Sequence, residues 1–321
     1  MNHEEFPSCL PMGKSLGKLD WLTALDIRQT RPKWYNIGYA AQFMVHTSLP
    51  YRQVAGSEFS RRNGQMGLTI IAPSAIGLPY GASARLILIY LVTTAKIHDD
   101  PHILLGHSFA EFMSKIGRPR TGGSSGGLTR VKEQLLRVLA SNICFYRVQR
   151  STKELLSFEQ RSTKELLSFE QIPVAAKIRL FDSSGIVERR KSGIYVTLSE
   201  EFMENLRKYG PIPIDMRIIH QIKNSAQAID IYIWLRYRLY KTITPFLVPW
   251  NRLWEQFGTS AQRQVDAKRP FLQQLNRVLE WYPVMTYKTL KKGLFVIPNP
   301  NADCIKNIIP RKTKESAIWP W

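Results

Sequence analysis

Cysteine is scarce in this chain: Cys9, Cys144 and Cys304 are the only three in 321 residues, far apart in sequence. That excludes a disulfide scaffold and an all-cysteine metal site, and it fits a reducing compartment. Acidic residues are also few, 25 against 45 lysines and arginines, which leaves a net charge of +20. Long apolar runs are missing. The longest, Leu86 to Val92, falls far short of the ~20 residues that span a bilayer. The first residues, MNHEEFPSCLPMGK, carry acids where a secretory signal carries basic residues, and no apolar stretch follows. The expectation is a protein of the cytoplasm. Its hydrophobic fraction of 44% is too high for a disordered basic tail, so the charge sits on a folded surface and favours a polyanionic partner.

Periodicity predicts helices from Tyr80 to Lys96, His107 to Ile116 and Leu128 to Asn142, and strands near 67–72, 144–148, 177–181 and 192–198. The stretch 34–54 reads as a helix stopped by Leu49-Pro50. The second half repeats the order: a helix over Ser225 to Lys241, a short one over Pro249 to Phe257, a third over Phe271 to Trp281, then a hairpin around Lys291-Lys292-Gly293. The predicted fold is α+β, mainly helical, with two tandem winged helix-turn-helix domains. A flexible arm covers 1–35, the first domain 36–209, the second 210–298, and a basic tail 299–321. Residues 150–160, RSTKELLSFEQ, recur letter for letter at 161–171. An odd insertion inside a paired strand would turn every side chain to the opposite face. Ser151-x-x-Glu154 and Ser162-x-x-Glu165 resemble capping boxes, so the duplication is expected to form an exposed helical or looped insertion in the first wing.

If Leu128, Val131, Leu135, Val138 and Leu139 face inward, the opposite face of that helix carries Thr129, Arg130 and Arg137, with Lys132 at its edge and Ser124 and Ser125 in the glycine-rich loop before it. Hydroxyls and cations at a helix start suit base edges and phosphates in a major groove. In the second half, burying Phe271, Leu275, Val278, Leu279 and Tyr282 exposes Arg269, Gln273, Asn276 and Arg277, with Lys268 just ahead. Gln and Asn pair with adenine and Arg with guanine. The hairpin tips add Arg189, Arg190 and Lys191 in the first half and Lys288, Lys291 and Lys292 in the second, as phosphate contacts. Arg61-Arg62-Asn63-Gly64 reads as a similar basic turn.

Signals for catalysis are weak. No His-x-His occurs, Gly13-Lys14-Ser15 lacks the earlier glycine of a phosphate loop because position 8 is serine, and His98-Asp-Asp-Pro-His102 reads best as a polar loop. No enzyme activity and no cofactor are expected. Tyr232, Trp234, Tyr237 and Tyr240 fall at core spacing among aliphatic residues.

The order of segments resembles the RepA-type plasmid replication initiators, the family with a RepA C-terminal region. The resemblance runs through LPYR (49–52), FSRRNGQMGLTI (59–70), GLPYGASARLILIYL (77–91), FAEFMSKIG (109–117), VTLSEEFMENL (196–206), AIDIYIWLRYR (228–238), VPWNRLWEQFG (248–258), KRPFLQQLNRVLEWYP (268–283) and GLFVIP (293–298). It implies a protein that binds repeated double-stranded DNA sites in a plasmid origin and represses its own promoter. It implies as well a homodimer in exchange with monomer and, by analogy, a host helicase or initiator as partner. A transcriptional repressor without initiator activity remains open on the residues alone. Less favoured are a nickase or primase, which needs the missing His-x-His or clustered carboxylates, and a basic RNA-binding protein.

Overall fold

The computed structural model describes residues 34–119, 126–149, 166–173, 175–177, 193–240, 242–258 and 264–299, with Ile27, Pro32, Thr121 and Gly123 as single positions. The chain enters through β1 (Ile37–Ala40) and the short α1 (Phe43–His46). The helix expected over 34–54 is therefore overturned. The backbone of 37–40 is instead taken up by β9 (Ile212–Asp215), its antiparallel partner. A hairpin of β2 (Glu58–Asn63) and β3 (Met66–Ile71) follows. Arg61, Arg62 and Asn63 lie on its first strand, and only Gly64, with a positive φ, belongs to the turn.

The first half then runs through α2 (Gly81–His98), β4 (His102–Gly106), α3 (Phe109–Lys115) and α4 (Gly127–Leu139). Next come β5 (Asn142–Gln149), β6 (Leu166–Pro173), β7 (Ala175–Lys177), β8 (Ile194–Leu198) and α5 (Glu200–Tyr209). The second half contains α6 (Met216–Ile222), α7 (Ala226–Leu239), β10 (Phe246–Pro249) and α8 (Trp250–Phe257). It ends in α9 (Gln264–Trp281), β11 (Met285–Thr289) and β12 (Gly293–Pro298). In each half a helix, a strand and two helices succeed one another, followed by four strands in the first half and two in the second. The resulting sheets have matching orders, β4-β8-β7 and β10-β12-β11.

A further sheet, β2-β3-β5-β6, extends the first half. Gly67 on β3 is opposite Tyr146 on β5. A Cβ there would meet the Tyr146 ring at 2.1 Å, so only glycine lets that ring lie across the strand. Leu166–Gln171, the end of the second RSTKELLSFEQ copy, are strand residues of β6, with Leu166 opposite Gln149 and Gln171 opposite Cys144. This overturns the expected helix or loop for that part of the duplication. The free edge of β5 offers backbone donors and acceptors that a neighbouring strand satisfies better than a surface turn. Residues 150–165 lie outside the described residues.

The two long leading helices, α2 and α7, are buried nearly all round, as central helices are. They meet through Arg85 and Asp230, both almost wholly excluded from solvent. Arg85 Nε and one terminal nitrogen each donate to a carboxylate oxygen at 2.7 Å. Its remaining donors reach the carbonyls of Leu49, Pro50 and Gly81 at 2.8 to 3.2 Å. All five guanidinium hydrogens are used. Burial opposes the arginine's charge, but the carboxylate and its hydrogen bonds outweigh that, so its pKa lies above the ordinary value. Around this pair the apolar side chains of both halves form one continuous core from Ile27 to Val296.

Removing one partner of such a pair strands a buried charge. Arg85→Met or Asp230→Asn is expected to lower unfolding free energy by about 3–5 kcal/mol in urea titration, and the Arg85→Met/Asp230→Leu double variant to regain much of it. Single variants as stable as the parent would remove the pair from its central role.

Candidate nucleic-acid interface

In the second half, Phe271, Leu275, Val278 and Trp281 turn α9 against the core. The opposite side presents Lys268, Arg269, Gln273 and Asn276 to solvent, with Arg277 half-buried beside them. The helix starts earlier than expected, at Gln264 rather than near Arg269, with Pro270 inside it. Pro270 stands past the first turn of α9, so its missing N–H leaves out the bond to the carbonyl of Asp266 and its ring crowds that carbonyl.

Three sequence-predicted lysines converge. Lys291 and Lys292 form the exposed turn between β11 and β12, closed by reciprocal backbone bonds between Leu290 and Gly293. They share a cleft of about 440 Å³ with Lys268, Trp250, Trp254 and Phe271. Lys268 Nζ lies 4.5 Å from the centre of the Trp250 ring, an attractive cation–π geometry. The indole is fixed by Nε1 donating to Leu290 O at 3.0 Å. Lys288 is exposed on β11. One strand position along, Tyr287 donates its hydroxyl to Asn276 Oδ1 at 2.6 Å, which holds the amide in place on the helix face. Burial pushes the Tyr287 pKa up, opposed by this bond, so the hydroxyl stays a donor at neutral pH. Trp250 and Tyr287 were not singled out from the sequence. The Pro249-Trp250 pair opening α8 was the available signal for the first, and nothing local marked the second.

In the first half, Thr129 and Arg130 are exposed on α4, and Lys132 is half-buried with Nζ 5.5 Å from the Phe109 ring. Thr129 Oγ1 donates to Gly123 O at 3.1 Å, tying the glycine-rich loop to the helix. Arg137 departs from expectation: it is 7% exposed. It lies 5.2 Å over the Tyr80 ring, donates to Leu78 O at 3.0 Å, and pairs with Glu133. Residues 78–80 cross this side of α4, and Gln134 is buried there too, accepting from Tyr80 N at 2.9 Å. The buried arc is therefore wider than the apolar pattern alone indicates. Arg61 is a second correction. It caps the end of α8, donating to Gln256 O at 2.6 Å and Gly258 O at 2.8 Å. Asn63 donates to His46 O and Gln256 Oε1, so this segment joins the halves. Ser124, Ser125, Arg189, Arg190 and Lys191 lie outside the described residues.

Tyr232 and Trp234 are core residues, whereas Tyr237 and Tyr240 are exposed. Among the described residues no group of three His, Cys, Asp or Glu is placed to hold a metal ion, and no helix is long and apolar enough to cross a membrane.

The sequence model of the family described as "Plasmid encoded RepA protein" matches residues 78–245, from the approach to α2 to the residue before β10. No curated protein matches. Among solved structures, the selenomethionine derivative of domains 2 and 3 of RctB is similar at 15% identity and a TM-score of 0.49, covering 79% of this chain and 95% of that one. A second structure of RctB domains 2-3 is similar at 12% identity and a TM-score of 0.46, covering 81% and 97%.

Arg137→Ala is expected to lower stability by about 1–3 kcal/mol through lost hydrogen bonds and the lost cation–π contact, with nucleic-acid affinity unchanged. Arg130→Ala should do the reverse. Thermal melts and binding isotherms on the same preparations separate the two, and an Arg137 variant that is stable yet binds poorly would return that residue to the interface.

Proposed function

Because the chain belongs to the plasmid-encoded RepA protein family, we propose that it is a plasmid replication initiator that binds repeated duplex sites in its origin. In this reading the chain is mainly helical and holds two tandem winged-helix units, 36–209 and 210–298, between the arm 1–35 and the tail 299–321. What supports the units is the twice-repeated succession of elements with matching sheet orders. The helices α4 and α9 occupy the recognition position in each. They would enter successive major grooves about one turn apart on one face of the duplex.

The observation that carries the reading is the second unit's surface. Arg269, Gln273, Asn276 and Arg277 share one side of α9, with Lys268, Lys291 and Lys292 gathered at its start. The first group has the donors and acceptors that read guanine and adenine edges, and the lysines suit the flanking phosphates. Asn276 is positioned by Tyr287, and a fixed amide discriminates better than a mobile one. The first unit contributes Thr129, Arg130 and Lys132, and its wing Arg189, Arg190 and Lys191. Binding would also repress the initiator's own promoter. The strain it imposes would help open adjacent DNA for a host helicase, and monomers would exchange with a homodimer. None of these steps requires a catalytic residue or a cofactor.

Fluorescence anisotropy should find an origin-repeat duplex bound ~10³-fold or more tightly than a shuffled duplex or the single strand, with affinity falling steeply as salt rises. Equal binding of all three would leave only the +20 charge at work. Arg269→Ala and Arg277→Ala should each cost about 1–3 kcal/mol and relax sequence preference. Tyr287→Phe should weaken the repeat more than the shuffled duplex. A minimal plasmid carrying the origin and this gene alone should replicate, and failure there with intact repeat binding would leave repression as the function.

A further inference from the structure

Where the turn after α3 meets the turn between α6 and α7, positive charge collects. Arg118 donates to Asn224 Oδ1 at 3.0 Å and to Lys223 O at 3.1 Å. Lys223 Nζ lies 2.8 Å from His220 Nε2 and packs along Gly117. Arg118 and Arg130 line an open cavity of about 820 Å³ together with Ser83, Thr121 and Asn224. Among the described residues, no carboxylate pairs with Arg118, Arg130 or Lys223. The Arg118 Nε is buried with no acceptor. Burial holds the Lys223 pKa down and Arg118 holds it lower still, while burial and then Lys223 do the same to His220. Gathering like charges at a partly buried site costs folding energy, and a bound anion offsets it. The start of α4 faces this cavity and adds positive potential. Its Gly127 and Leu128 amides already bond to Thr121, so the side chains must supply the grip.

We propose that this cavity holds a phosphate of the DNA backbone, gripped by Arg118 and Arg130 of the first half and Asn224 of the second, with Lys223, outside the lining, reaching it from beside Arg118. The inference rests on the reading of α4 as a duplex-binding helix and adds a contact made by both halves at once. A phosphate bound there ties the strand lying along α4 to the junction of the units. Inorganic phosphate carries the same chemistry, so the test includes both sources.

The full chain is titrated with a labelled random-sequence duplex over a range of salt. Lys223→Ala keeps the backbone carbonyl that accepts from Arg118, so the junction is preserved, and a thermal melt checks this. Its affinity should fall about three- to tenfold, equally for any sequence, and log affinity against log salt should become shallower by about one unit. Lys223→Arg should restore both. Lys96→Ala, which removes an exposed charge at the end of α2, should leave the slope as in the parent. Unchanged affinity and slope in Lys223→Ala would overturn the proposal, and so would an equal effect from Lys96→Ala, which marks bulk charge. If the parent binds no duplex, the reading of α4 falls, and inorganic phosphate decides the cavity. A phosphate-dependent rise in melting temperature that Lys223→Ala abolishes would keep it as a free-phosphate site, and no rise would overturn it.

Discussion

The architecture depends on one charged contact, the fork of Arg85 on Asp230 between the two central helices. Two charges withdrawn from water are costly, and the geometry offsets that only because every donor of the guanidinium has an acceptor. Two of those acceptors are carbonyls of the segment between α1 and β2, and the third lies in the first turn of α2. The same residue therefore fixes the entry of the chain into the first half and its junction with the second. Apolar packing alone would let α2 and α7 slide against each other. A bidentate ion pair at their crossing sets one register.

A second layer of contacts acts in the same sense. Arg61 and Asn63, on a hairpin of the first half, hold the end of α8 and the side chain of Gln256. The Gln256 amide in turn donates to Val45 O. In the proposed role this matters because α8 carries the Trp250 floor on which Lys268 rests. The surface that would meet DNA in the second unit is thus braced from the first.

Much of the fold was legible because its helices are strongly patterned. The spacing of Phe109, Phe112 and Met113, or of Phe271, Leu275 and Val278, is that of helices with one buried side, and all six are buried. What the sequence did not disclose came from segments that meet across long separations. Arg137 looked like a surface cation because nothing near it in sequence announces Leu78 and Tyr80. Arg61 and Asn63 looked like a loop tip because their partners at the end of α8 lie far along the chain. The end of the duplication carries capping-box letters just ahead of it, yet it pairs with β5 because an open sheet edge outweighs a local turn. The exposed side of α9 was readable, whereas the tyrosine that orients Asn276 comes from a strand and has no sequence signature.

The register of β6 gives the duplication an unexpected economy. Every paired residue up to Gln171 comes from the second copy, and the first copy holds the same letters. Excising 150–160 would leave Gln149 followed by RSTKE and then by the unaltered strand. That connection has an ordinary hairpin length. Because Leu166–Gln171 all belong to one copy, the odd number of residues in the repeat leaves their alternation of faces unchanged. The chain therefore accommodates a second copy, or its loss, with the sheet's alternation of faces intact.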